Sequence, residues 1–430
     1  MRGLAKIVLL LFTVAPLTYS TVFSQEKNVL KLEEAYRLAR LNYPISNDRI
    51  LIDEISALNI ELIKRNRLPS ISLNAQGTLQ SDNIKIGSDD PAFPINIEGP
   101  LDTYKAYLGL NFDLYDGGFA ASQKKIEEAR NLANQQLLKV DLNTLKDRIN
   151  LLFFNIELAR EQKKHLETFL NDIETNQKTV DSKVKNGVAL KSELNKLKVR
   201  RLELLSEMER LDGDIKAFIT IMKKLTGSEI QDDVMLKFPS LFSFQEDIEI
   251  SRPEQELYNA RQEVLRAQNG LTNAGLKPRL SVFGEGGVGN PNPINFSDTE
   301  TSIYGLVGIK LSWSFLDWGK GKKEKERIGL QVKQIEVDRM TFEFEIHSRK
   351  GEFIQRMEAL KKQIRNDLEI VELQAEIAEQ ANTQLQNGVI NSSEYLEQVN
   401  ADLRYRQQLK LHEIQLEQVK VEYLTLFGNL

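Results

Sequence analysis

The side chains best placed to act together are three carboxylates beside two Asn-Gly pairs. Glu193 follows Asn186-Gly187, and Glu394 and Glu397 follow Asn387-Gly388. Glu394 and Glu397 stand three residues apart, the spacing of neighbours on one helix face. Repeated around a narrow axis by several copies of a chain, such acids attract cations and raise one another's pKa, as charged rings in selective pores do. The same residues have a plainer reading as solvated helix carboxylates, and Asn391 followed by Glu394 has the spacing of a capping box. Leu190 stands where the first half would need the capping asparagine, yet Glu193 is still present, so capping does not explain both halves equally.

Other chemistries find little support. The chain has no cysteine, which excludes disulfides, thiolate metal sites, cysteine nucleophiles and an acylated lipoprotein cysteine. His165, His347 and His412 lie far apart, and no Ser-His-Asp set, metal cluster or catalytic carboxylate pair is visible. The expectation is a protein that is not an enzyme and needs no cofactor or metal. The stretch "GEGGVG" at 284–289 has the spacing of a dinucleotide fingerprint, but "NPNPINF" follows it where the motif needs a helix N-terminus. It reads as a strand entering a loop. Asp89-Asp90 is a weak cation signal in a solvated loop, and "GKGKKEKER" at 319–327 reads as helix surface that could also meet anionic head groups.

With 57 basic and 62 acidic residues, the chain offers no broad attraction to nucleic acid. Arg2 and Lys6, then "IVLLLFTVAPL" and "TYSTVFSQ", have the order of a secretory signal peptide, with cleavage expected after Ser24. No later apolar run is long enough for a membrane-spanning helix. Entry of an exported chain of this kind into a membrane has to be through strands.

The elements that position the acids come in two copies. Asp116-Gly117-Gly118 recurs as Asp317-Trp318-Gly319, Asn186-Gly187-Val188 as Asn387-Gly388-Val389, Ser192-Glu193 as Ser393-Glu394, and Leu225-Thr226-Gly227 as Leu426-Phe427-Gly428, each 201 residues later. Pro44 and Pro69 match Pro253 and Pro278 at an offset of 209, which places extra residues of the first half in the loop-like "GSDDPAFPINIEGP". The expected organisation is a signal peptide at 1–24, a first repeat at 25–227, a linking segment at 228–252 around the middle of the helices, and a second repeat at 253–430. Each repeat reads as helix, strand hairpin (about 69–116 and 278–317), then a long helical hairpin with its tip near Gly187 or Gly388.

Between Gly118 and Gly187 the residues Leu138, Leu142, Leu145, Ile149, Leu152, Ile156, Ala159, Leu166, Leu170, Ile173, Val180 and Val184 follow a heptad, broken at Lys163 and Gln177. A helix over that span would be about 100 Å long. Alternation marks the strands: Ala106, Leu108, Leu110, Phe112 and Leu114 share one face, as do Ile303, Val307, Ile309, Leu311, Trp313 and Phe315, with shorter partners at Ile71-Leu73-Ala75 and Leu280-Val282. Alternation alone suits a membrane barrel or a half-buried soluble sheet; the leader and the giant helices favour the barrel. Four strands cannot close a barrel, since the smallest have about eight. Closure by three chains would give twelve strands. Asp116 and Asp317 are placed to cap the helices that follow, and Pro69 and Pro278 to end helices before strands.

The segments "LKLEEAYRLARLNYP", "RLPSISLNAQG", "LGLNFDLYDGG" and "KNGVALKSELNKLK", repeated in order in the second half, resemble the TolC-type outer membrane efflux protein (outer membrane factor) family over essentially the whole mature chain. The resemblance implies a mainly α homotrimer whose long α-helical barrel continues into a 12-stranded transmembrane β-barrel. It implies residence in the outer membrane of a Gram-negative bacterium, in contact with its lipid, with a large periplasmic portion. The implied function is the exit duct of a tripartite efflux or type I secretion system, served by a periplasmic adaptor and an inner-membrane transporter. The adaptor would meet the tips at 184–192 and 385–393, including Asn186, Gly187, Val188, Ser192, Asn387, Gly388, Val389 and Ser393. The gate acids of the family map onto Glu193, Glu394 and Glu397, while the tyrosine and arginine that tie some members shut correspond here to Leu385 and Ile390. The competing reading is a non-conducting periplasmic coiled-coil scaffold whose strands form a soluble cap.

Overall fold

The computed structural model describes residues 29–83, 85–88, 95–239, 248–295 and 300–430. The expected signal peptide and the Asp89-Asp90 pair lie outside the described residues. The first half runs β1 (Val29–Lys31), α1 (Leu32–Asn42), α2 (Asp48–Arg65), β2 (Ser70–Leu79), β3 (Lys85–Ser88), β4 (Ile95–Glu98), β5 (Asp102–Tyr115), α3 (Phe119–Asn143), α4 (Leu145–Lys185) and α5 (Lys191–Thr226). After β6 (Met235–Lys237) come α6 (Pro253–Gly275), β7 (Arg279–Asn290), β8 (Ser302–Ser312), α7 (Lys320–Asn387) and α8 (Ser392–Phe427).

The main sheet is four-stranded and antiparallel, in the order β2-β5-β7-β8. Its register brings the apolar positions into rows: Leu73 opposes Leu108, Ala106 opposes Val288, and Val282 opposes Ile309. One face is therefore apolar across all four strands, and it is turned outward, with Leu73, Ile303 and Val307 each more than three-quarters exposed. The opposite face carries Asn74, Tyr107, Glu285, Tyr304 and Lys310, and the ring of Phe283 lies on Gly308, where a Cβ would meet the ring at 2.7 Å. The β7–β8 register reproduces that of β2–β5 residue for residue: Leu73↔Leu108 becomes Val282↔Ile309 under the offsets of 209 and 201. Among the described residues, β2 and β8 each pair on one side only.

The helices beneath follow the strand order. α2 packs on α3, α3 on α6, and α6 on α7, and each leads into or out of its strand. Further along, α7 packs on α8, α8 on α4, and α4 on α5. The core follows the heptad positions, with Ile149, Leu166, Ile173, Leu197 and Leu204 fully buried. Between strand and helix the chain turns by the same device in both halves. The Asp116 carboxylate accepts from the Gly118 and Ala120 amides at 2.8 and 2.9 Å, and Asp317 from Gly319 and Gly321 at 3.0 and 2.7 Å. In the second half the turn forces Trp318 to φ 54°, a left-handed conformation its glycine counterpart adopts freely.

Several local expectations are corrected. The long helix of the first half is interrupted at Thr144, whose hydroxyl and amide both turn back to the Asp141 carbonyl, at 2.7 and 3.3 Å. That bond spans three residues instead of four, so one residue of the α ladder is lost. In the second half α7 is unbroken over 68 residues, about 100 Å. Strand β8 stops at Ser312 and not at Phe315, because its partner begins only after Pro278 and Trp313 Nε1 instead donates to the Leu276 carbonyl at 3.1 Å. Part of the tract read as loop is a hairpin, with Lys85–Ser88 pairing with Ile95–Glu98. In the linking segment, β6 pairs in parallel with β1, and Phe238 stacks on Phe154 at 4.8 Å between ring centres.

Candidate functional site at the helical tips

Both tips are built alike. At the first, Gly187 takes φ 72° and the Val188 amide returns to the Lys183 carbonyl at 2.8 Å; at the second, Gly388 takes φ 74° and the Val389 amide returns to the Gln384 carbonyl at 2.8 Å. The positive φ is what glycine supplies at a helix C-terminus. The turns leave Val188 and Val389 outermost, 76% and 70% exposed. Each hairpin thus carries an exposed apolar residue at its tip.

The three acids take different positions. Glu394 closes the capping box: Asn391 Oδ1 accepts from the Ser393 and Glu394 amides at 2.9 and 3.1 Å, and Glu394 accepts from the Asn391 amide at 3.4 Å and from its Nδ2 at 2.9 Å. Glu193 reaches across to the other hairpin and accepts from the Ser392 amide at 2.8 Å, while Lys196 pairs with it at 3.0 Å. Its side chain is only 17% exposed. Burial pushes the Glu193 carboxyl up, but Lys196 and the Ser392 amide outweigh that and hold it below the usual glutamate value. Glu397 is exposed and has no hydrogen-bond or ion-pair partner among the described residues. The protomer thus brings Glu193 to the start of α8 and leaves Glu397 free.

Further polar groups join the hairpins. Lys183 Nζ donates to the Leu385 and Gln386 carbonyls at 2.7 Å each, completing the C-terminus of α7. Lys196 Nζ also donates to Ser393 Oγ at 2.6 Å. Deeper in the α4–α8 seam, Asn176 Nδ2 donates to the Tyr395 hydroxyl at 2.7 Å, and burial pushes that phenol up to about 12. Where polar ties were missing, Leu385 is instead buried in the core with Val180, and Ile390 packs against that core as Val184 does. Lys183, Lys196, Asn176 and Tyr395 escaped the sequence reading. A signal was present: Lys196 is the repeat counterpart of Glu397, so the first half carries an acid and a base three apart where the second carries two acids.

Among the described residues there is no group of three or more side chains able to hold a metal, and no helix long and apolar enough to cross a membrane. No family model matches the chain, and no curated protein matches its sequence. Solved structures do match. CusC, whose structures concern folding and transmembrane channel formation, aligns with a TM-score of 0.64 at 14% identity over 92% of each chain. The outer membrane protein VceC of Vibrio cholerae gives 0.63 at 12% identity, over 92% of this chain and 96% of that one. The Campylobacter jejuni CmeC outer membrane channel gives 0.61 at 15% identity, over 93% and 85%. Across essentially its whole length, this protein has the fold of outer membrane channels.

Proposed function

We propose that the protein is the outer-membrane exit duct of a tripartite efflux or type I secretion system, closed by three copies of the chain and conducting passively. The observation that carries the reading is the pairing of an outward apolar sheet face with two strand edges that are unpaired among the described residues, above helices of the same order. In hydrocarbon an open edge leaves backbone groups unsatisfied at several kcal/mol each, so the edges must meet further copies. Three copies of a four-stranded sheet give twelve strands. The helices offer matching surfaces: α2 exposes Ile55, Leu58 and Leu62 on one flank, and α7 exposes Leu330, Val337, Met340 and Phe344 on the other.

In this assembly the tips at Asn186, Gly187, Val188 and Ser192 and at Asn387, Gly388, Val389 and Ser393 present the surface for a periplasmic adaptor, which in turn links to an inner-membrane transporter. The ring of acids narrows in our reading to Glu397, with Glu394 beside it, because Glu193 is engaged within the protomer. The scaffold alternative has no use for an apolar outward face across all four strands. Conductance in planar bilayers tests the proposal. Purified protein should form trimers with discrete channels, and Glu397→Ala should lower cation preference; trimers that never conduct, even with Glu394 and Glu397 both replaced by alanine, would leave the scaffold reading.

A further inference from the structure

The junction of β8 with α7 carries charges that helix stability does not explain. Lys322 and Lys325 are exposed and have no acidic partner among the described residues, and exposed Lys320 has beside it the Asp317 carboxylate that caps the helix, whereas Lys323 pairs with Glu326 at 2.8 Å and Arg327 pairs with Glu324. Lys320 and Lys322 lie in the first turn of α7, at the positive end of the helix dipole, where acids are favoured and cations are not. The helix amides are not the attraction, since Asp317 already occupies those of Gly319 and Gly321. Nor does the repeat require the first two cations: the first-half counterparts of Lys320 and Lys322 are Phe119 and Ala121, while Lys325 matches Lys124.

Two neighbouring features show which way the patch faces. Leu311, on the outward apolar face of β8, is followed at once by Trp313, Phe315 and Trp318, which are 56%, 79% and 88% exposed. Tryptophan of this amphipathic kind belongs where hydrocarbon gives way to head groups. Trp313 is fixed to the end of α6 through the Leu276 carbonyl, which brings exposed Lys277 to the same junction. An apolar face, then aromatic rings, then unpaired ammonium groups is the sequence of environments from acyl chain to glycerol to phosphate.

We propose that this junction is a binding site for the phosphate of anionic phospholipid in the leaflet nearest the helices, with Lys320, Lys322 and Lys325 as the ligating cations and Trp313 and Trp318 seated at the acyl boundary. The inference rests on the sheet lying in a membrane, and it adds a lipid preference that the channel reading does not require. It also supplies an attachment to the leaflet in a chain without a cysteine to acylate.

The chain has two tryptophans and both are at this junction, so its own fluorescence reports on the site. The full chain is placed in phosphatidylcholine nanodiscs containing a minority of brominated phosphatidylglycerol, or the same amount of brominated phosphatidylcholine. Brominated phosphatidylglycerol should quench several-fold more efficiently, and the preference should fall with salt. It should collapse in Lys320→Gln/Lys322→Gln/Lys325→Gln and survive in the arginine triple variant. Equal quenching by the two lipids, or a preference unchanged in the glutamine variant, overturns the site while leaving the membrane reading intact. Quenching by neither lipid overturns both. Salt dependence of the wild-type protein decides the matter should the triple variant fail to fold.

Discussion

Replacing Glu193 with alanine removes the bond it accepts across the hairpins from the Ser392 amide at 2.8 Å, and with it the pair within α5 to Lys196 at 3.0 Å. A hydrogen bond to a charged group is worth about 1.5–3 kcal/mol, and an exposed pair roughly 0–1. Lys196 keeps its bond to Ser393, so the net loss at the seam is about 1.5–3 kcal/mol, or on the order of ten- to a hundredfold in the population of separated tips. Amide exchange at Ser392 and the first turn of α8 should accelerate by that factor, with Glu193→Gln in between because its carbonyl oxygen still accepts. The pH dependence has a defined sign. The Glu193 carboxyl is held below its ordinary 4.5, so its contribution is complete above that value and is lost as pH falls through the lower folded value. Protection of the Ser392 amide, taken relative to the intrinsic exchange rate at each pH, should therefore fall in acid in the wild-type protein, and in Glu193→Ala this acid-induced loss should be absent. Unchanged exchange in Glu193→Ala would refute the strut.

Other substitutions probe separate parts of the structure. Ile309→Arg places a charge on the outward sheet face and should cost about 2–4 kcal/mol in bilayer insertion, read as loss of folded trimer in lipid, while a charge at the opposite-face Ser281 leaves it in place. Leu166→Ala, at a side chain with no exposure in the α4–α5 core, should lower unfolding free energy in denaturant by about 2–5 kcal/mol. Gly388→Ala meets nothing within 4 Å and should cost roughly 1 kcal/mol of left-handed strain. Gly227→Ala should cost more, since its Cβ would stand 2.5 Å from the Asn42 amide oxygen and displace the bonds Asn42 makes to the Lys224 and Leu225 carbonyls.

Patterns with a strict period were legible from the sequence. The heptad from Leu138 to Val184 and the alternation of Ile303 to Leu311 each place a side chain by counting, and the repeat offsets checked one half against the other. The break at Thr144 was not legible, because a threonine within a good heptad gives no local sign that its hydroxyl will turn back to Asp141. The end of β8 escaped for a different reason: Trp313 continues the alternation perfectly well, and only the late start of its partner strand stops the ladder. At the tips, the turns announced themselves through Asn-Gly, but the ties between hairpins join residues about 200 positions apart, such as Lys183 with Leu385 and Glu193 with Ser392. Such pairs depend on how two rods lie side by side, which no local pattern encodes.

In the proposed trimer, β8 of one copy joins β2 of the next to close the barrel, and the repeat specifies the register. Within the chain Tyr107 pairs with Gly287 and Gly109 with Glu285. Carried by the two offsets onto β8 and β2, the same register sets Lys310 of one copy opposite Gln76 of the next. Because the chain has no cysteine of its own, Lys310→Cys/Gln76→Cys should oxidise in membranes to a disulfide-linked trimer. Lys310→Cys/Ser70→Cys, about 20 Å out of register, should not. Covalent trimers from the first pair alone are the predicted result; monomers from both, or equal linkage from both, would contradict the account.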